Sequence, residues 1–203
     1  DVAKELPAKT TIEVNIEMND QQAKLYEAVR ATMQTNIRQI IAEKGIHRSQ
    51  IQILDALLKL RQVCCHPSLL KLDTFAVQDA TSAKFEHLMS MVEEMVEEGR
   101  RILIFSQFTS MLQLIENGLK QINIPLVKLT GQTKKRDEVI TTFQSEQVPV
   151  FLISLKAGGV GLNLTAADTV IHYDPWWNPA AEDQASDRAW RIGQDKPVFV
   201  YKL

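Results

Sequence analysis

The sequence predicts an α/β fold in which helices cover both faces of a parallel sheet, with a helical extension in front of it. Three observations carry this prediction. Apolar runs such as 102–106 are short and continuous, which is typical of strands buried on both sides. From residue 100 onward such runs alternate strictly with helical patterns, which favours right-handed crossovers between parallel strands. Before residue 100 the periodicity is mainly helical.

The composition is that of an ordinary globular domain. Of the 203 residues, 45% are hydrophobic and 24% are charged, and the formal net charge is -2. Because the chain has no overall positive field, binding to nucleic acid requires a local patch. No apolar run reaches the length of a membrane span, and no signal peptide opens the sequence, so we expect no membrane partner. The chain begins without methionine and ends on the strand-like "VFVYKL", which we interpret as a piece of a longer protein.

The extension is predicted to hold one strand and two helices. The opening 1–18 contains the alternating stretch "TTIEVNIEM". A helix then starts near Asn19 or Asp20 and ends before Gly45, and a second covers about 50–64. At the end of the second helix the segment "RQVCCHPSLL" holds the only two cysteines, which we interpret as buried thiols, because a zinc site needs four ligands and no second cluster exists. A polar connector follows at 72–81.

A third helix runs from about Phe85 to Gly99, and its paired glutamates, at 93/94 and 97/98, are interpreted as a solvated face. The sheet part then alternates regularly. Its predicted elements are strand "RILIFS", a helix containing Met111, Leu114, Ile115 and Leu119, strand "PLVKLT", helix 133–144, strand "PVFLIS", a glycine loop, strand "DTVIHYD", a helix holding Gln184 to Arg191, and strand "PVFVYK".

The glycine loop lies in the segment "SLKAGGVGLNLTAADTVIHYDPWWNP", residues 154–179. Glycines directly after a strand allow backbone N–H groups to approach a phosphate, although a plain strand–loop turn would explain them equally well. The loop is not a Walker A motif, since no Gly-Lys-Ser/Thr follows. The only "DEVI", at 137–140, falls in the first turn of a predicted helix, where acidic residues complement the helix dipole. The chain therefore lacks the usual means of binding Mg-ATP by itself.

The stretch "DQASDRAWRIGQ", residues 183–194, places two cations and an amide on one helix face: Arg188, Arg191 and Gln184. Taken alone, it also fits a solvated surface, because Asp187 and Arg191 have the spacing of a surface ion pair.

Taken together and in order, "LRQVCCHPSLL", "RILIFSQFTSML", "LTGQT", "SLKAGGVGLNLTAADTVIHYDPWWNP" and "DQASDRAWRIGQ" resemble the second RecA-like lobe of the Swi/Snf family of DNA-dependent ATPases, in helicase superfamily two. The resemblance spans nearly the whole chain. It implies a strand and helical extension between the two ATPase lobes at 1–82, and a RecA-like lobe at 83–203 that is truncated at its C-terminal end. Trp190 departs from the family, which commonly has histidine at that position.

The resemblance implies roles for particular residues. Arg188 and Arg191 would reach the γ-phosphate of ATP, which the absent first lobe would hold together with Mg²⁺. The remaining cleft residues would be Gln184, Gly159, Gly161 and Asp187, with no metal ligand in this chain. Double-stranded DNA would contact Gln107, Thr130, Gly131, Lys156 and Trp177.

The function implied is that of a duplex-DNA translocase or remodeller, acting with the first RecA-like lobe of the same polypeptide and on a DNA-bound protein target. The isolated chain is expected to be inactive. Two alternatives stay open: a non-catalytic protein-interaction module with a degenerate cleft, and the equivalent lobe of an RNA helicase. A bacterial member would act in the cytoplasm at the nucleoid, and a eukaryotic one in the nucleus.

Overall fold

The computed structural model describes residues 8–70, 82–155, 164–174 and 197–203. The chain divides into two compact units. The sheet unit comprises the described residues of Asp1–Asn15 and Leu88–Leu203, and the helical unit comprises those of Ile16–His87. None of the helices in the described ranges is long and apolar enough to cross a membrane.

The sheet unit is built on six parallel strands in the order β1-β6-β5-β2-β4-β3. Their bounds are β1 Lys9–Glu13, β2 Ile102–Ser106, β3 Leu126–Leu129, β4 Val150–Ser154, β5 Thr169–His172 and β6 Val198–Lys202. All of these strands fall where the sequence predicts one. The all-parallel pairing, with helices flanking the sheet, confirms the predicted α/β, RecA-like fold.

Strand β1 belongs to the sheet, whereas the sequence predicts it to be part of the helical extension. It pairs in register with β6, from Lys9 opposite Val198 to Glu13 opposite Lys202, and so forms one edge of the sheet. Three of its five residues are exposed and two are partly buried, as suits an edge strand. The two partners are far apart in sequence, and local alternation contains no information about which strand a segment will join.

The middle of the sheet forms the core. Every residue of β2, β4 and β5 is buried, which explains why these segments are continuously apolar rather than alternating. One buried cluster includes side chains from all strands but β1, together with one helix residue and the segment before β5: Leu103, Phe105, Leu129, Phe143, Phe151, Ile153, Leu164, Ala167, Val170, Val198 and Val200.

Three helices follow the predicted periodicity. Their bounds are α3 Ala83–Glu97, α4 Thr109–Gln121 and α5 Arg136–Gln144. Helix α3 buries Leu88, Val92 and Met95 and leaves its paired glutamates exposed, as predicted. Helix α4 packs against β2 and β4, and α5 against β3. Helix α5 begins three residues later than predicted.

The helical unit contains two long helices, α1 Asp20–Lys44 and α2 Gln50–Cys65, which pack against each other. Asn19 caps α1, because its side chain accepts a hydrogen bond of 2.8 Å from the backbone N–H of Gln22. Gly45 ends α1 with a φ of 79°, a conformation that side chains other than glycine rarely adopt. Short 3-10 turns at His47–Ser49 and Pro67–Leu70 flank α2.

Gln22 is a fully buried polar side chain that joins three helix ends in this unit. Its Nε2 donates to the carbonyl oxygens of Val63 at 2.8 Å and Cys64 at 3.4 Å, and its Oε1 accepts from the N–H of Ala83 at 3.2 Å. The start of α1 is thereby tied to the end of α2 and the start of α3. The amide satisfies backbone groups that helix ends leave without partners.

The two cysteines differ in burial. Cys65 is buried, as predicted, whereas Cys64 is only half-buried. Burial raises the pKa of the Cys64 thiol, and the positive charge of Lys84 offsets part of that effect. The Cys64 thiol is therefore held mainly in its protonated, unreactive form near neutral pH.

Candidate functional site

A cleft of about 430 Å³, lined mainly by residues with polar side chains, opens at the carboxyl ends of β2, β3 and β4. Ligands of open parallel sheets gather at this edge, because the backbone N–H groups and the loops that follow the strands meet there. The residues that line the cleft are Gln107, Thr109, Ser110, Gln113, Lys128, Thr130, Gly131, Gln132 and Ser154. Three of the five residues predicted to contact DNA, Gln107, Thr130 and Gly131, are thus brought together.

A buried carboxylate fixes the β2 side of the cleft. Asp174, just beyond β5, is 1% exposed and accepts hydrogen bonds from Ser106 Oγ at 2.5 Å and from the backbone N–H of Gln107 at 3.0 Å. Ser106 Oγ accepts in turn from the N–H of Phe108 at 3.1 Å. The chain leaving β2 is therefore held in one path as it enters α4. The Nε2 atom of Gln107 is enclosed and has no hydrogen-bond partner among the described residues.

The β3 side of the cleft is a tight turn in the "LTGQT" segment. The N–H of Thr130 donates to Thr133 Oγ1 at 2.9 Å, and the N–H of Thr133 donates to the carbonyl of Thr130 at 3.1 Å. Because Thr133 belongs to this turn, α5 starts at Arg136 and not at the predicted residue 133. A Cβ placed on Gly131 would meet nothing within 4 Å, so the main chain at this position is open to a ligand.

The charge of the cleft comes from Lys128, on β3. Its ammonium donates to Glu116 Oε2 at 2.5 Å and to Gln113 Oε1 at 3.1 Å, and Glu116 also accepts from Lys120 at 2.8 Å. Burial alone would raise the pKa of Glu116, but the hydrogen bonds and charges of Lys120 and Lys128 outweigh it and lower the pKa from its ordinary value. Glu116 is therefore ionised at neutral pH.

Residues 83–193, more than half of the chain, match the family of the helicase conserved C-terminal domain. This chain belongs to that family. A second family description, that of the SNF2-related domain, fits residues 1–69. Together with the structural likeness below, the two matches identify the chain as the helicase C-terminal lobe of a Swi/Snf ATPase, which confirms the resemblance seen in the motifs.

Curated relatives agree with this assignment. The chain is 41% identical over 205 residues to an uncharacterized ATP-dependent helicase of Mycoplasma pneumoniae, covering all of this chain and 19% of the relative. It is 39% identical over 207 residues to the putative ATP-dependent helicase/translocase YwqA of Bacillus subtilis, covering all of this chain and 22% of that protein. The chain thus spans about a fifth of the length of these relatives.

Solved structures show the same fold. The SWI2/SNF2 ATPase core of Sulfolobus solfataricus in complex with dsDNA is 38% identical with a TM-score of 0.78, over 97% of this chain and 41% of that one. The C-terminal domain of the Sulfolobus solfataricus ATPase is 37% identical with a TM-score of 0.74, over 96% of this chain and 78% of that one.

The other predicted site residues of this Swi/Snf lobe lie outside the described residues, and their roles stay predictions. They are Lys156, Gly159, Gly161, Trp177, Gln184, Asp187, Arg188 and Arg191.

Two residues that shape the cleft are missing from the predicted site. Asp174 has no predicted role beyond being the last residue of the predicted strand "DTVIHYD". An acidic residue at the end of a buried strand is nevertheless expected to lie at the ligand-binding edge of the sheet. Lys128 is the one cation inside the apolar strand "PLVKLT", which is also a readable signal. Its contacts with Glu116 and Gln113, 12 and 15 residues away, depend on how α4 packs beside β3.

Proposed function

We propose that this lobe works in an ATP-dependent translocase that moves along double-stranded DNA and remodels DNA-bound protein. It would act with a first RecA-like lobe of the same polypeptide. Family membership supports the class of protein, and the solved Sulfolobus solfataricus relative in complex with dsDNA supports the class of nucleic acid. The observation that carries the proposal is the cleft that joins Gln107, Thr130 and Gly131 at the carboxyl ends of three strands.

The cleft suits the sugar–phosphate backbone of DNA. It offers amide and hydroxyl donors, one lysine and an open stretch of main chain at Gly131. Groups of this kind hold phosphates without reading base sequence, as a translocase that steps over any sequence requires. We assign the DNA contact to Gln107, Thr130 and Gly131, and extend it to Lys156 and Trp177 on the strength of the family motifs.

We assign the catalytic contribution of this lobe to Arg188 and Arg191, with Gln184, Asp187, Gly159 and Gly161 shaping its side of the ATP cleft. Phosphoryl transfer depends mainly on positioning and charge stabilisation, and guanidinium groups match phosphate oxygens in pairs. Since the nucleotide would bind to the other lobe, hydrolysis would require the lobes to close. Opening and closing over the DNA backbone would then couple hydrolysis to movement.

Magnesium is assigned to the first lobe. Within the described ranges no three His, Cys, Asp or Glu side chains gather where they could hold a metal ion, and no residue of these ranges is assigned to Mg²⁺. The sequence also contains no glycine–lysine loop of the Walker A type. We therefore expect the isolated chain to show no DNA-stimulated ATP hydrolysis.

Arginine substitutions in the full-length protein test the proposal. Arg188→Ala and Arg191→Ala should each lower DNA-stimulated turnover by about 10³-fold or more with little change in ATP binding, since arginine fingers contribute about 10³–10⁵ in rate. Arg191→Lys should not restore the rate, because lysine cannot make the paired contact. Arg30→Ala is the control, since Arg30 is an exposed arginine paired with Glu27 in the helical unit.

If either alanine variant kept near-normal turnover, the substituted arginine would be explained by the surface ion-pair alternative and not by catalysis. Stimulation of the wild-type enzyme by RNA but not by duplex DNA would support the RNA-helicase alternative, and the absence of any ATPase activity would support the interaction module. We expect the protein to act where its DNA is, at the bacterial nucleoid in the cytoplasm or in the nucleus of a eukaryote.

A further inference from the structure

Lys128 is the single charged residue among the described side chains that line the cleft, the others being neutral Gln, Ser, Thr and Gly. Its side chain is 28% exposed, so it is largely desolvated yet still accessible from the cleft. A cation in this position acts through a lower effective dielectric constant than one on an open surface. Water therefore screens the attraction between Lys128 and an anion in the cleft less than it screens that of a fully exposed lysine.

The ammonium of Lys128 is held in place before any ligand arrives. A lysine has three N–H donors, and here one is directed to Glu116 Oε2 and one to Gln113 Oε1. One donor is left for a further acceptor. Because both partners lie on α4 and Lys128 lies on β3, this network fixes a flexible side chain whose ordering would otherwise oppose ligand binding.

Glu116 also reduces the charge that Lys128 can offer. Its side chain is 14% exposed and bridges Lys120 and Lys128. Two lysines and one glutamate give this triad a net charge of +1, and removal of the carboxylate charge would raise it to +2. Glu116 thus has two opposing effects: it orients the lysine, and it competes with an incoming anion.

We infer that Lys128 is a phosphate-binding residue of the cleft for the DNA backbone, and that Glu116 weakens this contact by sharing the charge of the lysine. This inference rests on the proposed function, because it assigns the phosphate to duplex DNA. A translocase must release each phosphate contact as it steps, and a carboxylate that re-forms its ion pair with Lys128 favours release. Glu116 then sets the balance between grip and release.

The full-length protein and a short DNA duplex, titrated over a range of salt concentrations, test this inference. Glu116→Gln keeps an oxygen acceptor for Lys128 but removes the negative charge, so DNA should bind about two- to fivefold more tightly. Lys128→Gln should weaken binding about three- to tenfold and reduce the slope of log K against log salt by about one, the signature of one lost phosphate contact. Lys128→Arg should retain binding, since it keeps the cation.

Two control variants separate a local effect from a general change of charge. Glu27→Gln makes the same charge change as Glu116→Gln and breaks a comparable ion pair, with Arg30 at 2.8 Å, in the helical unit. Lys59→Gln makes the same charge change as Lys128→Gln at a lysine paired with Asp55 at 3.2 Å in the helical unit. We expect neither control to change the salt slope by as much as Lys128→Gln does. Melting temperatures identify a variant whose fold is damaged. If Lys128→Gln is such a variant, the DNA affinity of Lys128→Arg decides whether the positive charge at this position binds DNA.

The outcomes distinguish the inference from the function on which it rests. If the wild-type protein neither binds duplex DNA nor is stimulated by it, the proposed function fails. If the wild type binds DNA while Lys128→Gln keeps its affinity and salt slope, the inference is overturned and the proposed function stands. If Glu116→Gln increased the affinity for duplex DNA no more than Glu27→Gln does, the role of Glu116 would be overturned while the proposed function stands.

Discussion

The sheet unit and the helical unit bury their apolar side chains to very different extents. In the sheet unit every residue of β2 and β4 is buried. In the helical unit, large apolar side chains on and just before α2 remain in contact with solvent: Ile46 at 64% exposure, Ile51 at 80%, Leu54 at 61%, and Leu57 and Leu58 at 41% each. Hydrophobic burial therefore stabilises the sheet strongly and the helix pair much less.

Both units contain a buried polar side chain that ties several elements together, Asp174 in the sheet unit and Gln22 in the helical unit. In the sheet unit this contact adds to a continuous apolar core, and its main effect is to position Gln107 at the cleft. In the helical unit the three contacts of Gln22 tie together the ends of α1, α2 and α3.

The largest expected effect comes from making the same substitution, isoleucine to alanine, in each unit. Ile153 is fully buried in β4, whereas Ile51 is 80% exposed on α2. Ile153→Ala should lower the free energy of unfolding of the 203-residue chain by about 2–5 kcal/mol, because it removes buried methyl groups and leaves a cavity. Ile51→Ala should change it by less than about 0.5 kcal/mol, since little area is buried and alanine favours a helix. Urea denaturation monitored by circular dichroism measures both.

Equal losses for the two isoleucine variants would contradict the comparison, because Ile51 would then have to be covered in solution. A concentration-dependent unfolding midpoint in the wild type that disappears in Ile51→Ala would identify self-association as the cause.

An intermediate effect is expected from Gln22. Gln22→Ala removes the donor for the Val63 carbonyl and the acceptor for the N–H of Ala83, leaving buried backbone groups without partners at a cost of about 1–3 kcal/mol. Gln34→Ala is the matched control, because Gln34 is exposed and its hydrogen bond from Arg30, at 3.3 Å, lies on the surface of α1. Hydrogen exchange should show faster exchange in α1 and α2 in Gln22→Ala, with β2 and β4 changed least. A uniform loss of protection across both units would mean that they unfold together.

Sequence patterns predicted most of the sheet unit because local periodicity and strand order are enough to define a parallel α/β fold. Continuous apolar runs identified β2 and β4, and the cap at Asn19 and the stop at Gly45 located α1 to within a residue. The membership of β1 in the sheet was missed, since it depends on pairing with a strand at the other end of the chain.

The cleft was predicted in part. Family motifs and the rule that ligands bind where strands end placed Gln107, Thr130 and Gly131 at this edge of the sheet, and their contact with DNA stays a prediction. Asp174 and Lys128 were missed because their importance comes from partners brought close only by folding: Ser106 is 68 residues from Asp174, and Glu116 is 12 residues from Lys128.

The smallest expected effect concerns pH, and the two units should respond in different ranges. Burial lowers the pKa of His66, in the helical unit, from its ordinary value of 6.5. In the sheet unit the pKa of Glu116 lies below its ordinary 4.5: burial opposes this shift, but Lys120 and Lys128 outweigh it. Both folded-state pKa values are depressed, so both contributions are present at neutral pH. The His66 contribution is lost as pH falls below 6.5 through its folded pKa, and the Glu116 contribution only below 4.5.

Unfolding free energies measured from about pH 7.5 down to about pH 3 test this difference against two variants that do not titrate in these ranges. His66→Asn keeps an acceptor for Ser68, whose hydroxyl lies 2.8 Å from His66 Nδ1, and should flatten the pH dependence just below 6.5. Glu116→Gln should leave that range unchanged and flatten the curve below 4.5. Each change should be smaller than the effect of Gln22→Ala, because both side chains are in partial contact with water, which screens their charges. If His66→Asn left the curve below 6.5 unchanged, His66 would have to titrate alike in the folded and unfolded chains, which would contradict this prediction.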